Sequence, residues 1–174
     1  MLGCAGLTSA VFLGDAPILD MGVFPYTSRD FTVFYFNGKW GFTSPTWEGY
    51  PAVNMGAATP IAIWLIEHGL PYNADLQSDP NSDGVNLLLA YALNLDPNQN
   101  LSDSLPQSVV SANQSSLTYY TGNADVTYLV ETSSNLQTWS TVGVTLSAPD
   151  ANSFRTATCL NACPARFMRL TVGH

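Results

Sequence analysis

The feature that most constrains this chain is a set of oxygen-bearing side chains at alternate positions, followed at once by a glycine. Asp79, Asn81 and Asp83 lie two residues apart, and Gly84 comes next. In a twelve-residue loop of the EF-hand type, side chains at positions 1, 3 and 5 converge on one Ca²⁺ ion, and a glycine at position 6 makes the sharp turn. Val85, at position 7, would contribute its backbone carbonyl oxygen. The pattern therefore predicts a calcium-binding loop.

The second half of the same loop lacks the usual ligands. Position 9 is Leu87 and position 12, where a bidentate Glu is expected, is Ala90. Asp75 is the nearest spare carboxylate. We therefore expect a reduced calcium site completed by water or by Asp75, with a dissociation constant on the order of 10⁻⁴ to 10⁻³ M.

The same residues also suit a turn that needs no metal. Asp, Asn, Ser, Pro and Gly are turn formers, and the side chains of Asp and Asn bond nearby backbone groups. In this alternative Asp83 caps the helix that follows.

The overall composition indicates an acidic globular protein. Hydrophobic residues make up 46% of the 174 positions, charged residues make up 10%, and the formal net charge is −8. Such a surface repels the phosphates of nucleic acids and is not attracted to anionic lipids, so neither is an expected partner. No stretch reaches the roughly 18 apolar residues that a membrane span requires.

The first 56 residues are rich in strand-forming and aromatic side chains. We expect strands at Ser9–Leu13 and Phe31–Phe36, and Asn37-Gly38 is typical of the turn that ends the second strand.

Two segments of this region carry a resemblance. Cys4–Pro17 resembles the last repeat, and Phe31–Pro51 the closing segment, of bacterial surface proteins with short leucine-rich repeats. The resemblance implies that Cys4 fills a small buried position. It also implies that the chain is the C-terminal portion of a longer repeat array, since one repeat cannot bury its own hydrophobic face.

A pair of helices is predicted around the calcium loop. Thr59 is the N-cap of the first helix, with Pro60 in its first turn, and Gly69 ends it. The second helix, Val85–Asn94, is apolar almost all round and is expected to be buried. The two segments Trp64–Pro71 and Asp83–Pro97 resemble a linker module that is common in secreted bacterial proteins.

From about Gln107 the hydrophobic pattern changes to a period of two. Six short strands separated by polar turns are expected, at Val109–Ala112, Ser116–Thr121, Val126–Thr132, Trp139–Val142, Ser153–Cys159 and Arg166–Val172. Val126, Tyr128 and Val130 are expected to face one way, with Trp139 packed beneath them. The pattern predicts a small antiparallel β-sandwich, and Tyr128–Trp139 resembles the sandwich module that usually ends proteins with this linker.

Three cysteines are present. Cys159 and Cys163 are separated by only three residues, which allows a disulfide at a loop and equally allows two thiols. Cys4 is left as a small apolar residue.

We expect a mainly β protein with a small α-helical hinge. The predicted segments are a β-rich repeat end (1–56), a helix–loop–helix with the calcium loop (57–98) and a β-sandwich (99–174). The leading hypothesis is a non-catalytic, calcium-stabilised, adhesin-like interaction module. Its location would be extracellular or at the cell surface, with the export signal outside this chain. A surface glycan or protein is the expected partner, and the exposed repeat edge favours self-association.

Two other functions remain open. Trp40, Trp47 and Tyr50 form a dense aromatic group that would stack on sugar rings in a carbohydrate-binding module, or would cover the end of the repeat array. A calcium-bound water, with Asp75 or Asp79 as base, would serve a hydrolase of a small ester or lactone. The chain has only two histidines, His68 and His174, and none of the common catalytic motifs.

Overall fold

Two compact units make up the chain, residues 1–63 and 64–174. The structure is a computed structural model and describes residues 4–19, 23–160 and 167–174. The described residues are mainly β, as predicted, with two short helices. The strands are β1 (Ser9–Phe12), β2 (Thr32–Tyr35), β3 (Thr46–Trp47), β4 (Tyr50–Asn54), β5 (Ser108–Val110), β6 (Gln114–Tyr120), β7 (Thr127–Ser133), β8 (Val144–Leu146), β9 (Phe154–Leu160) and β10 (Phe167–Gly173).

The first unit contains a four-stranded sheet in the order β1-β2-β4-β3. β1 pairs with β2 and β2 with β4 in parallel, whereas β3 is antiparallel to β4 and ends the sheet. Alternate residues of a strand face one side, so Val33 and Tyr35 of β2 point into the core. The buried residues of this core are Phe31, Val33, Tyr35, Trp47 and Ala52.

Both strands predicted for this region are present, with slightly shorter bounds. The expected burial of Cys4 is wrong, because the residue is exposed. It lies in the turn before β1, where its carbonyl oxygen accepts a hydrogen bond from the N–H of Leu7 at 2.8 Å.

Helix α1 (Pro60–Glu67) begins and ends as its sequence predicts. The Thr59 hydroxyl accepts from the N–H of Ala62 at 3.3 Å, which caps the start. At the other end Gly69 has φ +75° and Leu70 donates its N–H to the carbonyl of Leu65 at 2.9 Å. This is the left-handed glycine termination that satisfies the last carbonyls of a helix.

No helix among the described residues is long and apolar enough to cross a membrane.

Helix α2 (Leu87–Ala92) is shorter than the predicted Val85–Asn94. Asn86 is its N-cap, with an extended backbone and a side-chain oxygen that accepts from the N–H of Leu89 at 2.9 Å. The cap is therefore Asn86 and not Asp83. Asn94 ends the helix with φ +54°, a conformation that asparagine tolerates better than most residues. The helix is buried on most sides, as expected.

The second unit holds two antiparallel sheets. One has four strands in the order β5-β6-β9-β8, and the other pairs β10 with β7. Residues from both sheets and from α2 share a single core, whose fully buried members are Leu93, Leu117, Tyr119, Val130 and Ala157. In β10, Met168 and Leu170 pack against this core while Phe167, Arg169 and Thr171 are exposed, which agrees with the period of two predicted for this region.

The predicted strand Trp139–Val142 is wrong. Only Ser140 makes a bridge, to Thr132, and the next strand is β8, which starts at Val144. The Asn135 side chain accepts from the N–H groups of Gln137 and Thr138, so the segment before Ser140 turns. Side-chain bonds of this kind compete with strand pairing.

Trp139 also lies on the opposite face from the one expected. The guanidinium of Arg169 stands 4.2 Å from the centre of its ring. Arg169 in turn forms an ion pair with Glu131 at 2.8 Å, on the face of the two-stranded sheet that points away from Val130. Trp139 therefore covers an exposed charge pair and not the core.

The Asn86 cap gives the first testable prediction. Asn86→Ala removes the acceptor of the Leu89 N–H and should lower the free energy of unfolding by about 1 kcal/mol. Asn86→Asp keeps a capping oxygen and should lose far less. Urea titration followed by circular dichroism measures both, and equal losses in the two variants would contradict the capping role.

Candidate metal site

The loop before α2 folds around the carboxylate of Asp79. Its two oxygens accept hydrogen bonds from the N–H groups of Asp83 at 3.2 Å and Gly84 at 2.8 Å. Ser82 and Gly84 have φ angles of +58° and +87°, so the chain turns sharply at these positions. Glycine suits the second of them because it has no Cβ to clash in the left-handed region.

Asn81 and Asp83 meet on the same side of the loop. The amide nitrogen of Asn81 donates to Oδ2 of Asp83 at 3.0 Å and to the carbonyl oxygen of Gln99 at 2.6 Å. Asp83 also accepts from the N–H of Val85 through Oδ1 at 2.8 Å, and from the N–H of Leu101 through Oδ2 at 2.6 Å. Two of the three side chains that the spacing singled out, Asn81 and Asp83, are thus in contact, and segment 99–101 bonds to both of them.

These bonds change the acidity of Asp83. The N–H of Leu101 makes the largest contribution, followed by Val85 and Asn81, and together they hold the pKa of the Asp83 carboxyl below its ordinary value despite some desolvation. Donors that point at a carboxylate favour its charged form. Asp96, just after α2, has a lowered pKa for the same reason, with the N–H of Asn98 as the main donor.

The remaining predicted ligands do not converge in the same way. Asp75 accepts from the N–H of Gln77 at 3.0 Å, within its own turn. The Val85 side chain is buried, which leaves its carbonyl as its only candidate ligand atom. Leu87 and Ala90, at positions 9 and 12, are 1% exposed each and belong to the buried face of α2. The loop therefore offers no carboxylate from the helix.

The oxygen atoms of the loop would suit a hard cation only if the side-chain amide of Asn81 were rotated. Oxygen donors are the ligands that Ca²⁺ prefers, and the amide nitrogen of Asn81 now lies between two of them, Oδ2 of Asp83 and the Gln99 carbonyl. Rotating this amide by half a turn would place a third oxygen beside those two. Three oxygens repel one another unless a cation lies between them, so calcium binding at this point would require the Asn81 amide to rotate. No group of three His, Cys, Asp or Glu side chains suited to a metal occurs within residues 4–19, 23–160 and 167–174.

The three aromatic residues proposed for sugar stacking are placed very differently. Trp40 is 82% exposed, Trp47 is 3% exposed and Tyr50 is half-buried. The Trp47 ring packs edge-on against Phe12 and donates Nε1–H to the carbonyl of Gly41 at 2.8 Å. Trp47 therefore has no open ring face for a sugar and acts as a core residue, which leaves Trp40 as the exposed member of the group.

The predicted disulfide involves a residue outside the described part of the chain. Cys159 is buried on β9, and Cys163 falls in the segment 161–166. The pairing stays a prediction.

A second polar group connects α2 to the sheets and was not predicted. The Tyr91 hydroxyl donates to the carboxylate of Asp125, lying 2.9 Å from both oxygens, and Nε2 of His174 lies 3.4 Å from Oδ2 of Asp125. Burial and the neighbouring Asp125 raise the pKa of the Tyr91 hydroxyl well above its ordinary value. In the sequence Tyr91 is one more apolar position of a buried helix, and no short motif links it to residue 125.

Comparison with known proteins adds no assignment. No family model matches the chain, no curated protein matches it, and no solved structure matches it.

The Asp83 carboxyl makes the stability of the second unit sensitive to acid. Its pKa is lower in the folded than in the unfolded chain, where an ordinary Asp has a pKa of about 3.9. The unfolded state therefore binds more protons in acid, so the stabilisation is complete above about pH 4 and is lost as the pH falls through the folded-state pKa.

Asp83→Asn should consequently reduce the slope of unfolding free energy against pH below pH 4, with Asp96 supplying part of what remains. Urea titrations at a series of pH values measure the slope. Asp103→Asn removes one charge from an exposed position outside the loop and should leave the slope unchanged. A slope in Asp83→Asn equal to that of the unmodified chain would contradict the role of these bonds.

Proposed function

We propose that this chain is a non-catalytic, calcium-stabilised interaction module of an extracellular or cell-surface protein. The observation that carries the proposal is that the side chains of Asn81 and Asp83 bond to segment 99–101, while the Asp79 carboxylate bonds to the backbone of the same loop. A cation held by these groups would connect the chain on both sides of α2. A bound ion stabilises whichever state binds it. Calcium would therefore strengthen the attachment of the loop to the rest of the second unit.

The arrangement of the first unit supports its assignment to a repeat array. β1, β2 and β4 are parallel and follow one another in the sheet, roughly 20 residues apart along the chain. Leucine-rich repeats of 20–29 residues place one strand per repeat in this manner. The antiparallel β3 then ends the sheet. In the proposal, the unit is the closing segment of such an array.

The second unit supports a sandwich module. Its four-stranded and two-stranded sheets contribute facing residues to one core, including Leu117 and Ala157 from one sheet and Val130 from the other. Two antiparallel sheets packed over a shared core is the arrangement that defines a β-sandwich. Such modules present their outer faces and loops to partners.

A structural role for the loop carboxylates also agrees with their bonding. Both oxygens of Asp79 and both oxygens of Asp83 accept backbone N–H groups or the Asn81 amide. For Asp83 these bonds lower the pKa and make its carboxylate a weaker base, which suits a cation-holding role better than proton abstraction.

Thermal melting tests the calcium role. With a dissociation constant of 10⁻⁴ to 10⁻³ M, 10 mM free Ca²⁺ should stabilise the protein by about 1.4 to 2.7 kcal/mol relative to the chelated protein. The same concentration of Mg²⁺ should do less. Asp79→Asn should lose most of the calcium response, whereas the matched variant Asp103→Asn should keep it. Identical melting of the unmodified protein in Ca²⁺ and in chelator would refute the proposal.

A substitution at Asn81 gives a sharper test, because it should separate stability from affinity. Asn81→Asp replaces the donor between Oδ2 of Asp83 and the Gln99 carbonyl by an oxygen. The calcium-free variant should be less stable than the unmodified protein, since two carboxylates then face each other. Its affinity for Ca²⁺ should rise, as measured by titration calorimetry.

Asn152→Asp adds the same charge at an exposed turn and serves as the control. It should change neither quantity appreciably. Unchanged calcium affinity in Asn81→Asp, together with the loss of stability, would show that residue 81 is not a calcium ligand and would contradict the proposed site.

A further inference from the structure

The outer face of the four-stranded sheet carries a regular set of hydroxyl groups. Leu117 of β6 and Ala157 of β9 point into the core, so their sequence neighbours point outward. Thr145 of β8 lies beside Thr158 and shares its outward direction. We call this set the hydroxyl face, and its members are Ser116, Thr118, Thr145, Thr156 and Thr158, all of them exposed or half-buried.

The strand register arranges these hydroxyl groups in two rows. Ser116, Thr158 and Thr145 lie side by side on three successive strands. Thr118 and Thr156 form the second row, with their Oγ1 atoms 2.9 Å apart. Neighbouring strands are about 4.8 Å apart, and alternate residues of one strand about 6.8 Å apart. The residues that carry these hydroxyl groups therefore recur about every 5 Å across the strands and about every 7 Å along them.

An aromatic pair borders one end of the hydroxyl face. Tyr120 and Phe154 are directly opposite in β6 and β9, with ring centres 5.7 Å apart and planes at 74°. Phe154 is 44% exposed. At the other end the opposite pair is Gln114 and Leu160. Apolar ring surface beside hydrogen-bonding groups is the usual composition of a site for an uncharged, polar ligand.

Charge distinguishes this face from the other sheet. Between the Tyr120–Phe154 pair and the Gln114–Leu160 pair, every outward side chain of β6 and β9 is uncharged, although the whole protein has a net charge of −8. The outer face of the β7–β10 sheet, in contrast, carries the Glu131–Arg169 ion pair. An anionic ligand would find no cation on the hydroxyl face and would be repelled by the protein as a whole. A cationic ligand would find no carboxylate there.

We propose that the hydroxyl face binds a neutral polysaccharide. Its hydroxyl groups can donate to and accept from sugar hydroxyls, and the Phe154 ring offers an apolar surface to a sugar ring. A flat lattice such as ice is a poorer fit, because adjacent strands rotate by roughly 20–25° and the rows follow that twist. A flexible polymer can follow it. The site is independent of the loop at Asp79 and of the calcium proposal.

Affinity electrophoresis tests the proposal with the full chain. Gels are cast with neutral polysaccharides (hydroxyethyl cellulose, xyloglucan, glucomannan and a mixed-linkage β-glucan) or with the anionic polygalacturonate, and insoluble cellulose and chitin are used in pull-downs. At least one neutral polymer should retard or retain the protein, and polygalacturonate should not. Thr158→Lys, which places a long charged side chain in the centre of the face, should weaken binding at least tenfold.

Matched variants separate binding from folding. Thr171→Lys makes the same change on the outer face of the other sheet and should bind like the unmodified protein. Thr118→Val and Thr156→Val keep the shape but remove a hydroxyl, so each should weaken binding several-fold while the melting temperature shows that the fold is intact. All variants are tested in calcium and in chelator, and binding should be the same in both.

Several results would overturn the proposal. These are the absence of retardation on every neutral polymer, stronger binding to polygalacturonate, or equal losses in Thr158→Lys and Thr171→Lys. Thermal hysteresis of freezing without any retardation would identify an ice-binding face instead.

Discussion

The carboxylate of Asp83 connects the two stretches of chain on either side of α2. It accepts from the N–H of Val85 just before the helix and from the N–H of Leu101 after it, while Asn81 ties the same carboxylate to the Gln99 carbonyl. A helix of six residues is too short to be stable by itself. Closing the chain around α2 at its base therefore holds the helix where its apolar side chains can join the core.

The far end of α2 is held by side chains that come from the sheet region. The Tyr128 hydroxyl donates to the Ala92 carbonyl at 2.8 Å, and the Asn123 amide donates to the Tyr91 carbonyl at 2.6 Å. These bonds satisfy carbonyl groups that a helix leaves unpaired at its C-terminus. Burial raises the pKa of Tyr128 to about 12, so its hydroxyl remains a donor at any physiological pH. The helix is thus fixed at one end by backbone groups and at the other by polar side chains of a shared core.

Local signals in the sequence predict much of this fold, and long-range pairing accounts for what they miss. Thr59, Gly69 and the alternation of β10 each act within a few residues, so the pattern alone identifies them. The strand predicted at Trp139–Val142 has suitable residue types, but the Asn135 turn just before it satisfies the backbone locally and leaves only Ser140 to pair.

The candidate site likewise combines local features that the sequence predicts with long-range contacts that it does not. Spacing predicts that the side chains of Asp79, Asn81 and Asp83 converge. Those of Asn81 and Asp83 are hydrogen-bonded to each other, whereas the Asp79 carboxylate bonds to the backbone N–H groups of Asp83 and Gly84. Spacing cannot predict that Gln99 and Leu101 return to close the loop, since backbone N–H and C=O groups are the same in every residue. Trp40 and Trp47 likewise stand in similar Gly- and Pro-rich surroundings. Only the hairpin of β3 and β4, which sets Trp47 beside Tyr50, decides which of them is buried.

The departure of this loop from the usual calcium motif follows from what α2 must do. Leu87 and Ala90 occupy positions where other loops carry ligands, and both are almost fully buried. A Glu at position 90 would place a charge in the core, at a cost that exceeds the gain from one ligand unless the metal reached it. Because α2 is apolar, it supplies no carboxylate to the loop, and segment 99–101 closes the loop instead.

Closure of the loop by its own hydrogen bonds has two opposite effects on the affinity expected for calcium. A loop that is already closed by backbone bonds needs little further ordering when a ligand binds, which favours binding. The Asn81 amide must nevertheless give up its bonds to Asp83 and Gln99 before its oxygen can face a cation. Each such hydrogen bond is worth on the order of 1 kcal/mol, or more where the acceptor is charged. The second effect cancels much of the first. A metal bound here would therefore add stability to a loop that is already folded without it.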